Sequence, residues 1–237
     1  MNQKGQKVAY ITGGSKGIGL GIAKVLLGQG MKVAITSRDL KSAQKAADSL
    51  GANKEDILAL QSDVSSKSSE ENAVKAVLEK FGQIDVVIAN AGVGHFAPIE
   101  EMTEKEWKET IDTNLTGVFH TVKASIEALK KSKGYLITIA SLAGTNFFEK
   151  GAAYNASKFG LVGFTQAVML DLRKYHIKVT TIMPGSVATY FNNHIPGSTD
   201  DWKIQPEDIG ELVSDILKMH PRALPSKIEI RPAVPGK

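Results

Sequence analysis

Short apolar segments alternate with longer segments of helical periodicity along almost the whole chain. Seven of the short segments are typical of strands because they are apolar on both faces. They cover residues 7–12, 32–36, 57–61, 85–89, 135–140, 178–183 and 227–230. Strands that are buried on both faces and separated by helices indicate a parallel sheet with helices on each side. The sequence therefore predicts an α/β fold, a doubly wound, seven-stranded, Rossmann-like sheet.

Helical periodicity covers residues 18–28, 40–50, 70–81, 104–131, 152–175 and 206–219. Residues 186–203 lack it and contain Pro196 and Gly197, which predicts a loop or short helix over a ligand site. No linker divides the 237 residues. We therefore expect a single domain over residues 1–237, with a short lid at about 186–205.

The composition argues against several classes of protein. The chain has no cysteine, which removes disulfides, thiolate nucleophiles and thiolate metal sites. Residues 1–7 are polar and no apolar run is long enough to cross a bilayer, so we expect a cytoplasmic protein with no membrane contact. The net charge of +4 is spread among acidic residues and not gathered in a patch. That distribution favours a small-molecule ligand and no nucleic acid.

A glycine-rich turn follows the first predicted strand and opens the first helix. Residues 12–19 read Thr-Gly-Gly-Ser-Lys-Gly-Ile-Gly. Glycine lets a backbone approach a pyrophosphate closely, and a helix N-terminus supplies free N–H groups and a positive dipole end. The turn lacks the Gly-Lys-Ser/Thr ending of an NTP-binding loop, which argues against a kinase or ATPase. It predicts a dinucleotide site, and a turn that uses glycine for packing alone is the alternative.

The end of the second strand indicates which dinucleotide binds. Ser37 stands where an acidic residue would hold the ribose 2′-hydroxyl of NAD, and Arg38 follows it. A guanidinium can fork onto a 2′-phosphate, and Lys16 in the glycine turn adds a second positive charge. These cations favour NADP(H). For both side chains the alternative is a solvated loop position.

Tyr154 and Lys158 are four residues apart on a predicted helix and therefore share one face. A phenol has a pKa of about 10, and a nearby ammonium lowers that pKa by stabilising the phenolate. Alone, the pair is an ordinary surface feature. Here it accompanies Ser141, at the end of the fifth strand, and Asn114, within the long preceding helix.

Asp63, Asn90-Ala91-Gly92 and Pro184-Gly185 follow the third, fourth and sixth strands. With the glycine turn and the Ser/Tyr-x-x-x-Lys arrangement, they resemble the short-chain dehydrogenase/reductase family of the classical type, from residue 7 to about 230. The resemblance implies an NADP(H)-dependent oxidoreductase that interconverts a carbonyl and a secondary alcohol, without a metal. It implies a 3-oxoacyl thioester as the first candidate substrate. Small ketones, aldehydes or hydroxy acids are the alternative.

The resemblance also implies catalytic roles. Tyr154 resembles the general acid of reduction and the base of oxidation, and Lys158 the residue that lowers its pKa and binds the nicotinamide ribose. Ser141 resembles the donor that orients the substrate oxygen, and Asn114 the residue that holds a water in a proton relay. A non-catalytic NADP-sensing regulator is the alternative of another class, and it is disfavoured because all four positions are filled.

The cofactor-binding residues are implied in the same way, segment by segment. They are Gly13, Ser15, Lys16, Gly17, Ile18 and Gly19 at the diphosphate, Ser37 and Arg38 at the 2′ position, Asp63 and Val64 at the adenine, Asn90, Ala91 and Gly92 at the adenosine ribose, and Pro184, Gly185, Val187 and Thr189 at the nicotinamide, with Tyr154 and Lys158.

Two departures from the family pattern bear on assembly and substrate. The chain ends in Ile-Arg-Pro and then Pro235-Gly236-Lys237, where many members carry a glycine pair within a subunit contact. A homodimer through the two long helices or a homotetramer is therefore expected, with the tetramer in doubt. The segment after Thr189 is short, which predicts a small lid. The sequence leaves open whether aromatic residues contact the substrate. These residues are Phe96, which follows the Asn-Ala-Gly segment, and Tyr190, Phe191 and Trp202 in the lid region.

Overall fold

A seven-stranded sheet forms the centre of the protein, for which a computed structural model describes residues 5–234. The strands are β1 (Val8–Ile11), β2 (Lys32–Ser37), β3 (Ile57–Gln61), β4 (Val86–Ala89), β5 (Tyr135–Ile139), β6 (Lys178–Pro184) and β7 (Lys227–Ile230). Their order is β3-β2-β1-β4-β5-β6-β7, and all neighbours are parallel. The predicted doubly wound α/β fold is confirmed. Residues 1–4 and 235–237, which entered the expectations on localisation and assembly, lie outside the described residues.

Seven α-helices of the described chain connect and cover these strands. They are α1 (Gly17–Gly28), α2 (Leu40–Ser49), α3 (Lys67–Phe81), α4 (Glu104–Ile111), α5 (Gly117–Ser132), α6 (Ala152–Leu172) and α7 (Pro206–Lys218). Within residues 5–234, no helix combines the length and the apolar character needed to cross a membrane.

The two faces of the sheet bury alternate residues of the same strands. In β1, Val8 and Tyr10 pack into a core shared with α3, α5 and α6. Ala9 and Ile11 pack into a second core on the opposite face, shared with α1 and α7. Because successive strand side chains point to opposite faces, a strand covered on both sides must be apolar throughout. This explains the continuous apolar runs in the sequence.

The helix predicted over residues 104–131 is present, but its hydrogen-bond pattern changes in the middle. Asp112–Thr116 form a π-helical turn between α4 and α5, in which the Gly117 N–H donates to the carbonyl of Asp112. Such turns insert one extra residue into a helix and are frequent at functional sites. The turn contains Asn114, which is completely buried.

The predicted lid region follows β6 and contains two short 3-10 turns, Phe191–Asn193 and Ser198–Asp200. Its base is closed by a small parallel bridge, because the Ala188 N–H donates to the Ile204 carbonyl at 2.9 Å and the Ile204 N–H to the Ser186 carbonyl at 3.1 Å. The segment between them is therefore anchored at both ends.

Candidate active site

A cavity of about 1020 Å³ lies beyond the carboxyl ends of the strands. β1 lies between β2 and β4, so the strand order reverses there, and doubly wound sheets bind ligands at such a reversal. All the residues predicted to bind the cofactor line this cavity except Gly19, and Ser141 lines it as well. Gly19 and Asn114 are buried and support its wall.

The glycine turn adopts a conformation that only glycine takes without strain. Gly13 and Gly17 have φ values of +64° and +56°, in the left-handed region. A Cβ at Gly13 would also lie 2.8 Å from the Ala91 Cα, so the turn packs directly on the loop after β4. The sequence left packing alone as the alternative explanation for these glycines, and packing is part of their role.

The N-terminus of α1 differs from those of the next three helices. Asp39, Ser66 and Thr103 cap α2, α3 and α4 with their side chains, whereas Lys16 at the start of α1 makes no such bond. The first turn of α1 also contains no acidic residue. Its N–H groups line the cavity without a side-chain acceptor, which is the chemistry that a diphosphate requires.

The loop after β4 holds the glycine turn in place. The Asn90 side-chain amide donates to the carbonyls of Thr12 and Gly13, at 2.9 and 3.0 Å. The backbone N–H groups of Asn90 and Ala91 donate to the Thr12 hydroxyl, at 3.0 and 3.2 Å. Both amide protons of Asn90 are thus used inside the protein. We therefore expect Asn90 to affect nucleotide binding indirectly, because it holds the glycine turn in place.

The cations expected at the 2′-phosphate lie at the outer end of the cavity. Arg38 is 65% exposed, and its guanidinium lies 3.7 Å from the Glu109 carboxylate. An exposed pair at that distance contributes little and leaves the guanidinium available to a stronger anion. Lys45 of α2 lines the same region as Lys16 and Arg38, although sequence reasoning did not select it. Ser37 accepts from the Asp39 N–H at 3.4 Å.

The residues expected at the adenine rest on a buried polar cluster. Asp63 lines the cavity while one of its oxygens accepts from the Ser65 N–H at 2.9 Å. Beneath it, the Glu70 carboxylate accepts hydrogen bonds from the hydroxyls of Ser62, Thr121 and Tyr10. These bonds fasten β1, α3 and α5 to the end of β3. They hold the loop that presents Asp63.

At the inner end, Ser141 and Tyr154 face each other. The Ser141 Oγ accepts from the Ala143 N–H at 3.1 Å, so its own O–H proton can be donated to a ligand. Burial raises the pKa of Tyr154 to about 12, and the Ser141 side chain offsets part of that rise. Desolvation, which favours the neutral phenol, is the largest influence on this pKa, and the lowering by Lys158 stays a prediction. A phenol that stays protonated at neutral pH suits a proton donor.

Lys158 is a buried ammonium without a carboxylate partner among the described residues. Its Nζ donates to the Ile139 carbonyl at 3.1 Å and lies 5.7 Å from the centre of the Tyr154 ring. Burial lowers the pKa of Lys158 to about 8. Since an ammonium has three donor protons and the side chain lines the cavity, it can donate to hydroxyl groups of a ligand.

We expect Lys158→Met to stabilise the cofactor-free protein at pH 7. The pKa is lower in the folded chain (about 8) than its ordinary 10.5, so burial of the charge costs about 3 kcal/mol below pH 8. That cost disappears as pH rises through about 10.5. Allowing for the unpaired Ile139 carbonyl, urea unfolding should show a gain of about 2 kcal/mol at pH 7, and little at pH 10. The exposed Lys123→Met is the control, and a less stable Lys158→Met at pH 7 would contradict the argument.

Asn114 is held rigidly by its side chain. Its Oδ1 accepts from the Val93 N–H at 2.8 Å, and its Nδ2 donates to the Val93 carbonyl at 2.8 Å and to the Ser157 hydroxyl at 3.0 Å. These bonds fasten the π-turn to the loop after β4 and to α6. The side-chain oxygen and both amide protons are engaged. The amide protons of Asn114 are therefore not available to a water.

Asp200 fastens the lid, and sequence reasoning did not find it. The carboxylate accepts from His194 Nε2 at 2.7 Å and from the Gly197 N–H at 3.0 Å, and it pairs with the Lys203 ammonium. Lys203 and His194 hold the pKa of Asp200 well below its usual range. These contacts join residues that are close in the sequence but follow no helical or strand repeat, so the periodicity of the sequence does not reveal them. In the sequence, only the lack of periodicity and the presence of Pro196 and Gly197 marked this segment.

We expect Asp200→Asn to loosen the lid. The amide keeps the size of the side chain but loses the charge that His194, Gly197 and Lys203 share, and bonds to a charged group contribute roughly 1.5–3 kcal/mol. Proteolytic cleavage within residues 186–204 should become about 10-fold faster. The neighbouring, exposed Asp201→Asn serves as the matched control. Equal cleavage rates in the two variants would show that Asp200 does not fasten the lid.

A glycine-rich turn, a facing serine and tyrosine, and a buried ammonium meet in one cavity at the reversal point of a doubly wound sheet. This combination is typical of a nucleotide-dependent oxidoreductase. The family model described as short chain dehydrogenase matches residues 7–198 of the chain. An uncharacterized oxidoreductase of Staphylococcus saprophyticus is 34% identical over 232 residues, which cover 95% of this chain and 97% of the relative.

Two solved structures resemble the whole chain. An alcohol dehydrogenase from the archaeon Thermococcus sibiricus, complexed with 5-hydroxy-NADP, has a TM-score of 0.88 and 32% identity, covering 97% of each chain. A 3-ketoacyl-(acyl-carrier-protein) reductase from Brucella melitensis, complexed with NADH, has a TM-score of 0.87 and 26% identity, covering 96% of this chain and 97% of the other. The chain belongs to the short-chain dehydrogenase/reductase family. It is an oxidoreductase of carbonyl and alcohol groups that uses a nicotinamide dinucleotide.

Proposed function

We propose that the protein is an NADP(H)-dependent oxidoreductase that interconverts a ketone or aldehyde and its alcohol. The observation that carries this proposal is the meeting of Ser141, Tyr154 and Lys158 at the inner end of a cavity with Lys16 and Arg38 at its outer end. The bound cofactor supplies the hydride, and the protein supplies position and the proton. We propose that residues 1–237 act as one domain with a lid at about 186–205.

Tyr154 gives its phenolic proton to the substrate oxygen during reduction and takes it back during oxidation. Ser141 donates its O–H to the same oxygen, since the bond from the Ala143 N–H uses a lone pair of its Oγ and leaves the proton free. Lys158 donates to the nicotinamide ribose from its buried position. Asn114 keeps the π-turn against α6, so that the wall beside Lys158 stays fixed.

NADP(H) is proposed over NAD(H) on the charges around the 2′ position. Lys16, Arg38 and Lys45 line this part of the cavity, and Ser37 replaces an acidic residue that would repel a phosphate. Asp39 follows, but its carboxylate caps α2 by accepting from the Ser42 N–H at 2.9 Å. The solved relatives carry both cofactors, since one is complexed with 5-hydroxy-NADP and the other with NADH.

Two substrate classes are supported by relatives. The Brucella melitensis protein is a 3-ketoacyl-(acyl-carrier-protein) reductase, which favours a 3-oxoacyl thioester. The Thermococcus sibiricus protein is an alcohol dehydrogenase, which favours a small ketone, aldehyde or hydroxy acid. A carbonyl panel that spans both classes, followed by NADPH and NADH absorbance, is the direct test. Binding of NADPH without oxidation across the whole panel would support a non-catalytic NADP-sensing regulator instead.

We also propose a homodimer through α5 and α6, acting in the cytoplasm where NADPH is a general reductant. Apolar side chains remain exposed on these helices, and they include Phe119, Phe159 and Leu170. A second copy of the chain could cover these side chains. Sedimentation should give the mass of a dimer, and Phe159→Glu should give a monomer. A homotetramer in the wild-type protein would show that further surfaces contribute, and a wild-type monomer would refute the proposal.

A further inference from the structure

Three phenylalanine rings surround the catalytic tyrosine, and each comes from a different loop. Phe96 follows β4, Phe148 precedes α6 and Phe191 lies in the lid. Their ring centres lie 5.4, 6.5 and 5.5 Å from that of Tyr154. Phe96 also lies 5.7 Å from Phe148 and 6.2 Å from Phe191. We name Phe96, Phe148 and Phe191 the phenylalanine cluster.

The chain holds this cluster in position. A Cβ at Gly94 would lie 2.5 Å from the Cζ of Phe191, so the loop after β4 admits that ring only because the residue is glycine. The Ala97 N–H donates to the Lys150 carbonyl at 3.1 Å, which joins the loops that carry Phe96 and Phe148. Side chains whose positions are fixed by such contacts lose little entropy when a ligand binds.

The cluster presents an apolar surface beside the proton donor. Phe191 lines the cavity, and Phe148 and Phe191 are 49% and 37% exposed, so part of each of these rings is available to a ligand. Phe96 does not line the cavity and packs against both of the other rings. Two histidines lie near the cluster: His95 Nε2 is 3.3 Å from a Glu109 carboxylate oxygen but makes no hydrogen bond to any described residue, and His194 pairs with Asp200. A compact ring packs against such walls with few internal rotations to lose. A flexible linear chain gains less from rigid flat walls, because it must be ordered first.

We propose that the substrate is a ketone whose carbonyl carbon carries or belongs to a compact apolar ring, and that the phenylalanine cluster selects that ring. The inference rests on the proposed function and favours its second substrate class over linear 3-oxoacyl thioesters. In the reaction, the cofactor hydride adds to the carbonyl carbon and the Tyr154 proton to the oxygen. The C=O double bond becomes CH–OH, NADPH becomes NADP⁺, and the phenolate regains its proton from solvent.

The test compares cyclohexyl methyl ketone with 2-octanone, which have the same carbon number and the same kind of dialkyl carbonyl. S-acetoacetyl-N-acetylcysteamine represents the thioesters. We expect kcat/KM for the cyclic ketone to exceed that for 2-octanone by about 10-fold, because the ring has fewer rotations to lose. Phe191→Leu should reduce this ratio by about 5-fold, and Phe96→Leu should reduce it through the position of Phe191, with NADPH binding retained as the check of folding. Phe147→Leu is the matched control, because Phe147 is 86% exposed and outside the cluster.

The outcomes separate the two proposals. Turnover with an equal or higher kcat/KM for 2-octanone or the thioester would overturn the ring preference and leave the oxidoreductase function standing. If the ratio of kcat/KM for the cyclic ketone to that for 2-octanone changes as much in Phe147→Leu as in Phe191→Leu, the cluster does not select the ring. If neither cofactor is oxidised with any carbonyl of the panel, the proposed function fails and the ring preference fails with it. If Phe96→Leu or Phe191→Leu does not bind NADPH, the role of the cluster is decided by the ratio of the two kcat/KM values in the remaining variant and in Phe148→Leu.

Discussion

Tyr154→Phe should lower kcat for carbonyl reduction by about 10³-fold and leave the Kd of NADPH within a few-fold of the wild-type value. The substitution removes one hydroxyl and keeps the ring that packs against Phe96 and Phe191. The shape of the cavity is therefore preserved, and only the proton donor is lost. Stopped-flow NADPH absorbance under single-turnover conditions measures the chemical step, and quenching of protein fluorescence measures cofactor binding.

Tyr175→Phe is the matched control, because Tyr175 follows α6 on the opposite end and contacts Lys130 and not the cavity. It should retain wild-type turnover. Because burial raises the pKa of Tyr154 to about 12, the phenol stays protonated between pH 6 and 9. Lys158, whose pKa burial lowers to about 8, keeps its charge in the lower part of that range, so the Tyr154-dependent part of the reduction rate should be flat from about pH 6 to 7. A Tyr154→Phe variant with more than a tenth of wild-type kcat would show that another group delivers the proton.

The fold was predictable because its signals are local. Seven apolar runs and the segments between them define strands and helices, and the parallel arrangement follows from burial on both faces. The sequence could not show the π-turn at Asp112–Thr116. Its five residues have ordinary helical periodicity, and the extra residue is held by contacts from Asn114 to Val93 and Ser157, far along the chain.

The site was predictable where residues follow a strand or share a helix face. Ser141, Asp63 and Asn90 stand at strand ends, so their meeting at one edge of the sheet follows from parallel topology. The internal use of the Asn90 amide by the Thr12 and Gly13 carbonyls was not predictable, because it depends on loop packing.

Electrostatic properties were the least accessible to the sequence. The spacing of Tyr154 and Lys158 indicates contact but not solvation, and desolvation is the largest influence on both pKa values. The approach of Lys45 to the cavity depends on how α2 packs against β2 and β3. Both features require the three-dimensional arrangement of elements distant in sequence.

Arg38→Asp should change the preference between NADPH and NADH by about 10³-fold in kcat/KM. The variant loses a guanidinium that can form two charge-assisted bonds with the 2′-phosphate, and each such bond contributes roughly 1.5–3 kcal/mol. In the wild-type protein the Glu109 carboxylate lies 3.7 Å from the Arg38 guanidinium. The substitution removes that cation, so the Glu109 charge also repels the 2′-phosphate. The new carboxylate can accept the 2′-hydroxyl of NADH, so we expect NADH turnover to be kept or raised.

Lys41→Asp is the control that separates contact from net charge. Lys41 is exposed on α2, the helix that follows Arg38, and it does not line the cavity. Lys41→Asp changes the net charge by the same amount as Arg38→Asp. Its effect on NADPH should be small and should fade with added salt, because exposed charges beyond contact are screened. The Arg38→Asp effect should persist at high salt, since a direct contact is lost and a repulsive one gained. Unchanged NADPH preference in Arg38→Asp would place the 2′-phosphate on Lys16 and Lys45 and remove Arg38 from the site.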